Sequence, residues 1–374
     1  MSSTPTSRIV GIDVIKILAM LMICVLHTNN MSDAVHLNPA RGEGNYPLCV
    51  TVWELTSISS MAVNLYALAT GFLCCRACWR ISRYLEIWAQ VAFYTLIGFL
   101  AAACLARCNV AGFTAPTIEA IKNACLPIPL ASAYWYFTAY SFLFLLIPFL
   151  NKIVEHFDKR ALISLLLLCT VIFPLFNPSD HLFLGTGYNV MWLSLLYLCG
   201  AILRLHPLKL HPAILISVII LMNASIGIGL LTDHFALMNY SSLPVALMSI
   251  ATFSLLLNIK VRSQAVCNIL RWGSVLSFGV YLVHMHPAVN FFLRLHLSHL
   301  LTQGNAAFWI PPLSALAVFL ASMAIDALRY GIFHLCRAGN ICRWAGDGLT
   351  SLHTKLMNRC DKYFGARESR PGEP

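Results

Sequence analysis

Three ionisable residues lie within one apolar stretch near the start of the chain. Residues 9–29 are long enough to cross a bilayer as a helix, which takes about 20 apolar residues, yet they include Asp13, Lys16 and His27. At about 100° per residue, Lys16 and His27 face the same way, roughly 16 Å apart along the axis. Asp13, three residues before Lys16, can pair with it. Ionisable groups at membrane depth are costly and mark functional sites by default.

The chemistry open to this helix follows from its two ends. A cation near one membrane surface suits a phosphorylated donor, as Lys16 would supply. An imidazole near the other surface, that of His27, is suited to act on a hydroxyl as a general base or as a nucleophile. The structural alternative is a buried Asp13–Lys16 ion pair with His27 as an interfacial hydrogen-bonding residue.

A second group of cations follows the next apolar stretch. Arg76, Arg80 and Arg83 have i, i+4, i+7 spacing, so a helix here would place all three on one face. Guanidiniums without matching carboxylates bind phosphate well, because each forms a bidentate fork. Anchoring against anionic lipid is the alternative, and Glu86, three residues after Arg83, is placed to neutralise one of them.

The composition indicates a membrane protein. The 374 residues are 59% hydrophobic and 11% charged, against about 25% charged for soluble domains. The net charge of +10 lacks the basic run or aromatic-interleaved basic helix that nucleic-acid binding would need, so nucleic acid is not an expected partner. The fold class is therefore all-α and polytopic, with membrane lipid as its surroundings.

Apolar runs predict about ten transmembrane helices. They lie at 9–28, 51–73, 84–106, 133–151, 161–177, 187–204, 212–231, 241–258, 272–290 and 309–333. This layout puts 21 of the 25 Lys and Arg residues on the side shared by both termini. Cytoplasmic loops carry the excess of cations, so both termini are predicted to be cytoplasmic.

The chain divides into a membrane domain, 1–333, and a basic cytoplasmic tail, 334–374, whose polar end should be disordered. The outer loops are predicted at 29–50, 107–132, 178–186, 232–240 and 291–308. Cys49, Cys108 and Cys125 fall in or beside these loops, which leaves a disulfide open.

Some cofactors are not expected. Cysteine and histidine spacing does not suit zinc, so no metal is expected. Walker, GxSxG, HExxH and GxGxxG signals are missing, so ATP and nicotinamide cofactors are not expected either.

Single polar residues in later spans are weaker signals. His284 and His286 lie near the predicted outer end of the ninth span, where a histidine most commonly bonds to another helix. Trp135 begins the fourth span and suits an aromatic belt at the interface. Glu54 and Asp326 lie inside spans, and each needs a partner that the sequence does not name.

Taken in order, five segments resemble the acyltransferase-3 family of integral-membrane O-acyltransferases. The resemblance is to its Arg/Lys-x10-His, VPLFFxxSGF, Arg-x-x-Arg, WFL…P and SxGxYLxH patterns. The matching residues are Gly11–Lys16 with His27, Val63–Leu73, Arg80–Arg83, Trp135–Tyr140 with Pro148, and Ser277–His284. They are especially similar to the surface-polysaccharide branch, which includes the enterobacterial-common-antigen O-acetyltransferase. Asn64 replaces the usual Pro, Thr70 the usual Ser and Lys16 the more frequent Arg.

The resemblance implies transfer of an acyl group, usually acetyl, from cytoplasmic acetyl-CoA to a hydroxyl of a cell-surface or lipid-linked glycan, at the bacterial inner membrane. The residues that it implies fall into three sets. The catalytic set is His27, Lys16 and Asp13; the set for the CoA phosphates is Lys16, Arg76, Arg80 and Arg83; the substrate contacts are Trp135, Tyr281, His284 and Thr70.

A second function class stays open. A carrier or flippase that exports a glycan or lipid intermediate would also need many spans and buried charges. Against it, the ionisable groups concentrate at the first span and the junction after the second, and no paired, interrupted spans indicate inverted repeats.

Overall fold

The computed structural model describes residues 8–36, 45–110, 117–118, 122, 134–176, 185–232, 234–301 and 307–364. Throughout these residues the regular structure is helical, without strands. We number the helices α1 Val10–Met31, α2 Tyr46–Ser59, α3 Ala62–Cys74, α4 Ile81–Arg107, α5 Trp135–His156, α6 Lys159–Leu167, α7 Val190–Leu205, α8 Pro212–Leu231, α9 Leu243–Leu257, α10 Gln264–His284, α11 Pro287–Leu301, α12 Ile310–Leu335 and α13 Ala338–Phe364.

Eight segments of the described chain are long and apolar enough to span a membrane. They are α1, α2 with α3, α4, α5, α8, Phe235–Leu257, α10 and α12. The spans predicted at 161–177 and 187–204 correspond to shorter helices. One is α6, which continues through a π-helical turn, Leu168–Ile172, and the other is α7. The all-α, polytopic fold class is confirmed.

The ninth predicted span, 272–290, is wrong at both of its ends. Helix α10 begins eight residues earlier than predicted, at Gln264, and stops at His284. A new helix, α11, starts at Pro287 and occupies much of the predicted loop 291–308. Proline lacks the N–H that would continue a helix, but it suits the first turn of a new one. The second predicted span is likewise two helices, α2 and α3, separated by Ser60 and Met61.

Burial separates central helices from peripheral ones. Of the 18 most apolar consecutive residues in the segment made of α2 and α3, 72% are buried. In α8 the corresponding share is 22%, although α8 has the higher mean hydropathy, 2.5. Helix α7 is only 16 residues long, but most of it is buried, including Trp192 and Tyr197. The apolar side chains of α8 therefore face outward, as lipid-facing residues do, while α1, α3 and α7 form the core.

Two residues of α3 explain how it packs. A Cβ on Gly71 would overlap the carbonyl oxygen of Tyr197, so only glycine lets α3 and α7 approach this closely. Asn64 is fully buried. Its Nδ2 donates to the Tyr240 carbonyl at 2.9 Å and to Ser249 at 3.1 Å, and its Oδ1 accepts from Trp192 Nε1 at 3.0 Å. Asn64, which stands where the resembled pattern has proline, therefore links α3 to α7 and α9 by hydrogen bonds.

Short polar side chains begin several helices. Each accepts a hydrogen bond from the backbone N–H three residues later, which satisfies a group that the helix itself leaves unpaired. These residues are Asn45, Asp158, Asn189, Ser242 and Ser263.

The predicted tail contains a long helix. Helix α13 covers much of it and packs along α4, while residues 365–374, predicted to be disordered, lie outside the described residues. Trp344 and Leu352 are exposed on α13, which also carries Arg343, Lys355 and Arg359. Such a basic amphipathic pattern is typical of helices at a membrane surface.

The predicted outer cysteines are not joined where the structure describes them. Cys108 is a free, exposed thiol, and Cys49 is buried and forms no disulfide with it. Cys125 lies outside the described residues.

Candidate active site

A cavity of about 840 Å³ opens at the end of the bundle where α1 begins. We call it the cationic cavity. Its walls come from the first turns of α1, the last turns of α3, the turn between α3 and α4, the start of α4, and parts of α5, α7 and α10. This volume is in the range of about 300–1,000 Å³ that is usual for ligand sites.

Six cationic side chains line this cavity. Four were predicted to bind phosphate, and the structure brings them together: Lys16, Arg76, Arg80 and Arg83. Arg8 and Arg204 join them. Sequence reasoning counted those two only as topology signals, because nothing local indicates that the start of α1 and the end of α7 lie side by side. The Arg204 guanidinium lies 4.7 Å from the centre of the Phe72 ring, a cation–π contact that orients it.

The structural alternative, an Asp13–Lys16 ion pair, is wrong, because Asp13 pairs with Arg8 instead. Arg8 Nε and Nη2 donate to the two carboxylate oxygens of Asp13 at 2.6 and 2.7 Å. The planar fork of an arginine matches a carboxylate better than an ammonium does, and Arg8, just before α1, reaches back to the first turn. Asp13 supplies the only carboxylate among the described residues lining this cavity. Lys16 forms no salt bridge within the described parts of the chain, so its charge stays available.

The three guanidiniums after α3 do not lie on one helix. Arg76 is in the turn that ends α3, and Arg80 has extended backbone angles, φ −141° and ψ 125°, as the residue before α4. Arg83 lies in the first turn of α4. They converge because the turn folds back, and they surround a helix N-terminus, which itself attracts anions. Glu86 does not line this cavity.

Thr70 lies on the wall of the cationic cavity. Its hydroxyl donates to the Tyr66 carbonyl at 2.9 Å, and the Tyr66 hydroxyl donates to the Lys16 carbonyl at 3.0 Å. The Thr70 oxygen keeps accepting capacity towards the cavity. The hydroxyl at position 70 is therefore at the cation end of the site, away from His27.

A small second space lies further along α1. It measures about 30 Å³ and is lined by His27 and by aromatic side chains that include the predicted Trp135 and Tyr281. We call it the histidine pocket. Tyr66, Tyr136 and Phe278 line both this pocket and the cationic cavity. Three aromatic rings therefore separate the cations from His27, and α1 runs unbroken beside both spaces.

His27 is held by a second histidine from a distant part of the chain. His27 Nδ1 lies 2.8 Å from His284 Nε2, and His284 Nδ1 lies 2.6 Å from the Val280 carbonyl oxygen. A carbonyl only accepts, so His284 Nδ1 carries its proton. In a neutral ring Nε2 then accepts, and the His27 Nδ1–H donates to it. His27 Nε2 keeps its lone pair for the pocket.

Tyr281 presents a hydroxyl to the same pocket. The residue is 4% exposed, and its Oη has no hydrogen-bond partner among the described residues. The centres of the Tyr281 and His27 rings are 6.3 Å apart. Buried hydroxyls are nearly always bonded, and the Tyr281 proton is not donated to any described residue, so it is available to a group that enters the pocket. Trp135 packs on Tyr188, with ring centres 4.6 Å apart, and closes one side.

An ion pair fixes the helix that carries Tyr281 and His284. Arg329 donates twice to Asp326 at 2.8 Å, and Tyr94 Oη donates to the same carboxylate at 2.7 Å. A Cβ on Gly279 would overlap that carboxylate, so glycine permits α10 to pack on α12. This network is the partner that Asp326 needed. Glu54 was the other acidic residue inside a predicted span that needed a partner, and its carboxylate accepts a hydrogen bond from Asn223 at 2.8 Å.

A thiol beside the cations is not an alternative nucleophile. Burial raises the pKa of the Cys75 thiol above its usual value, although the guanidiniums of Arg76 and Arg204 act in the opposite direction. The thiolate is the reactive form of cysteine. Burial therefore disfavours the thiolate of Cys75.

Comparison with known families agrees with the site. The family described as an acyltransferase domain, acyltransferase-3, matches residues 9–327, which include α1, the histidine pair and every residue of the cationic cavity except Arg8. Neither the curated proteins nor the solved structures include a significant match to this chain. Its apolar helices and this match lead to one conclusion: the chain belongs to the acyltransferase-3 family and is an integral-membrane acyltransferase.

Proposed function

We propose that the protein transfers an acyl group, acetyl in the first instance, from acyl-CoA to a hydroxyl of a cell-surface or lipid-linked glycan at the bacterial inner membrane. The observation that carries this proposal is the pairing of a six-cation cavity with a histidine pocket across a shared aromatic wall. A phosphorylated donor suits the first space, and proton transfer suits the second.

The donor would enter from the cation end. Arg76, Arg80 and Arg83 at the start of α4 would hold the pyrophosphate, with Lys16 deeper in the cavity and Arg8 kept in place by Asp13. The rise along α1 from Lys16 to His27 is about 16 Å, comparable to the length of a pantetheine arm. The aromatic rings of Tyr66, Tyr136 and Phe278 would then surround the arm or move aside for the thioester.

The transfer step uses the lone pair on His27 Nε2. That nitrogen takes the proton of the acceptor hydroxyl as its oxygen forms a bond to the thioester carbonyl carbon. His284 Nε2 accepts from His27 Nδ1 and stabilises the imidazolium. The Tyr281 hydroxyl donates to the developing oxyanion. The carbon–sulfur bond then breaks, the thiolate takes the proton from His27 Nε2, and the products are a glycan ester and CoA.

The same lone pair could instead attack the thioester directly. An acyl-imidazole would then form and CoA would leave before any acceptor arrives. Release of CoA without acceptor, measured in a single turnover, separates the two routes. General-base action predicts no such release beyond slow hydrolysis.

The direct test uses purified full-length protein with radiolabelled acetyl-CoA and candidate lipid-linked glycans. His27→Ala should lower transfer about 10²- to 10⁴-fold while CoA binding remains. Lys16→Ala should weaken CoA binding. Matched controls are His296→Ala and Lys159→Ala, both at exposed positions outside the two spaces.

Two results would contradict the proposal. One is normal transfer by His27→Ala protein. The other is movement of a glycan across vesicle membranes without CoA, which would favour the carrier function instead.

A further inference from the structure

A third space lies beside the cationic cavity. It measures about 630 Å³ and is bounded by α4, the end of α12 and the start of α13. We call it the tail cavity. Gln90 and Val275 line both this space and the cationic cavity. The two are therefore adjoining compartments divided by two side chains.

The tail cavity is cationic, but its arginines differ. Arg329 is already paired with the buried Asp326, so it forms part of the wall. Arg343 donates to Asn340, a neutral partner that orients the guanidinium without neutralising its charge. Arg337 forms no salt bridge with any described residue. Among the described residues, Glu86 is the one carboxylate that lines the space, and it forms no salt bridge with Arg337 or Arg343. These two guanidiniums therefore remain for an anion.

Flat side chains complete the cavity. Tyr330, Phe333 and His334 line it, and Phe333 packs edge-on against Phe93, with ring centres 5.5 Å apart. Rings held in this way offer stacking surfaces for a planar heterocycle. A phosphate next to a purine would use both features of the space.

We infer that the tail cavity binds the 3′-phosphoadenosine end of the acyl-CoA donor, with Arg337 and Arg343 on the 3′-phosphate. This inference rests on the proposed function, which places the pyrophosphate in the adjoining cationic cavity. The donor then occupies three joined spaces: adenosine in the tail cavity, pyrophosphate among the six cations, and thioester in the histidine pocket.

Arg337 offers an unusually clean variant. It has φ +52° just after α12 ends, a left-handed conformation that glycine adopts without strain. Arg337→Gly therefore removes the guanidinium while relieving the backbone, so the variant should be at least as stable as the parent.

The test measures the binding of CoA and of 3′-dephospho-CoA to the purified protein by titration calorimetry. The parent should bind CoA about 10- to 100-fold more tightly, as expected for a charged hydrogen-bonded contact. Arg337→Gly and Arg343→Ala should lose most of this preference by weakening CoA alone. Lys355→Ala, an exposed cation of α13 outside the cavity, should keep it.

The outcomes are distinguishable. A parent protein that binds both compounds equally tightly overturns this inference and leaves the proposed function standing. Variants that keep the parent preference, or that weaken both compounds equally, also overturn it. A parent that binds neither compound overturns the proposed function as well.

Discussion

At the scale of single residues, the proposed chemistry depends on the histidine pair. His284 is fully buried, and the Val280 carbonyl determines which of its nitrogens carries the proton. Because His284 Nε2 then accepts from His27 Nδ1, the lone pair of His27 Nε2 is left for the pocket, where it can act as a base. In the proposed mechanism His284 therefore positions His27, whereas the sequence alone predicted a substrate contact for His284.

We expect His284→Ala to lower kcat about 10- to 100-fold, less than His27→Ala, because the base remains but loses its orientation. The Kd for CoA should not change, since the cationic cavity is separate. His284→Gln keeps an acceptor for the His27 Nδ1–H and should restore part of the rate. Equal losses in kcat and in CoA binding, without rescue by glutamine, would indicate a merely structural role.

Tyr281 permits a prediction in which stability and activity separate. Tyr281→Phe removes a buried hydroxyl that has no partner among the described residues, so thermal stability should stay equal or rise slightly. If the hydroxyl donates to the oxyanion, kcat should fall about 10²- to 10³-fold.

The matched control for Tyr281 is Tyr134→Phe. Tyr134 Oη donates to the Leu282 carbonyl at 2.9 Å, so this change should lower stability and affect kcat less. A Tyr281→Phe protein with the parent kcat would remove Tyr281 from the mechanism.

At the scale of helices, close packing sets the position of the pocket. Helix α10 carries both Tyr281 and His284, and Gly279 holds it against the Asp326–Arg329–Tyr94 network. The charges in that network are buried and paired, so they cannot shift without large cost. The helix pair α10 and α12 is therefore a rigid support for the histidine pair.

Gly279→Ala should destabilise the protein by about 1–3 kcal/mol or more, because its methyl group would overlap the Asp326 carboxylate. Thermal unfolding in detergent measures the effect. Gly331→Ala, in α12, is the control. Apart from its chain neighbours and its own helix backbone, no described atom lies within 4 Å of the place that its methyl group would take. Alanine also favours a helix over glycine by about 1 kcal/mol. Equal melting temperatures for the two variants would contradict the packing argument.

At the scale of the whole molecule, the proposed reaction depends on orientation in the membrane. The cationic cavity lies at the end of α1 that the distribution of cations predicts to be cytoplasmic, and the histidine pocket lies towards the other end. An acyl group would then move from a cytoplasmic thioester towards an outer hydroxyl along α1.

Cysteine labelling tests this orientation. Cys108, just after α4, and Cys336, just after α12, are both exposed. In variants that keep one of them, an impermeant maleimide should modify Cys108 in intact cells and Cys336 only after permeabilisation. Cys49 should resist modification, because it is buried. The reverse pattern for Cys108 and Cys336 would invert the topology and contradict the proposed direction of transfer.

The sequence by itself determined the features that depend on local pattern. Apolar length predicted an all-α membrane protein, and helical spacing predicted that Lys16 and His27 share a face of one helix; each of the two lines one of the spaces beside α1. The sequence motifs indicated the family. These properties depend on residues close together in the chain, where periodicity is informative.

Only the tertiary structure decided which distant groups meet. His27 and His284 are 257 positions apart, and Arg204 reaches the cations from α7. Asp13 pairs with Arg8 and not with Lys16, because the backbone before α1 places the planar guanidinium of Arg8 against both carboxylate oxygens. Arg76, Arg80 and Arg83 converge through a turn. Such contacts depend on helix packing in three dimensions, which local spacing does not encode.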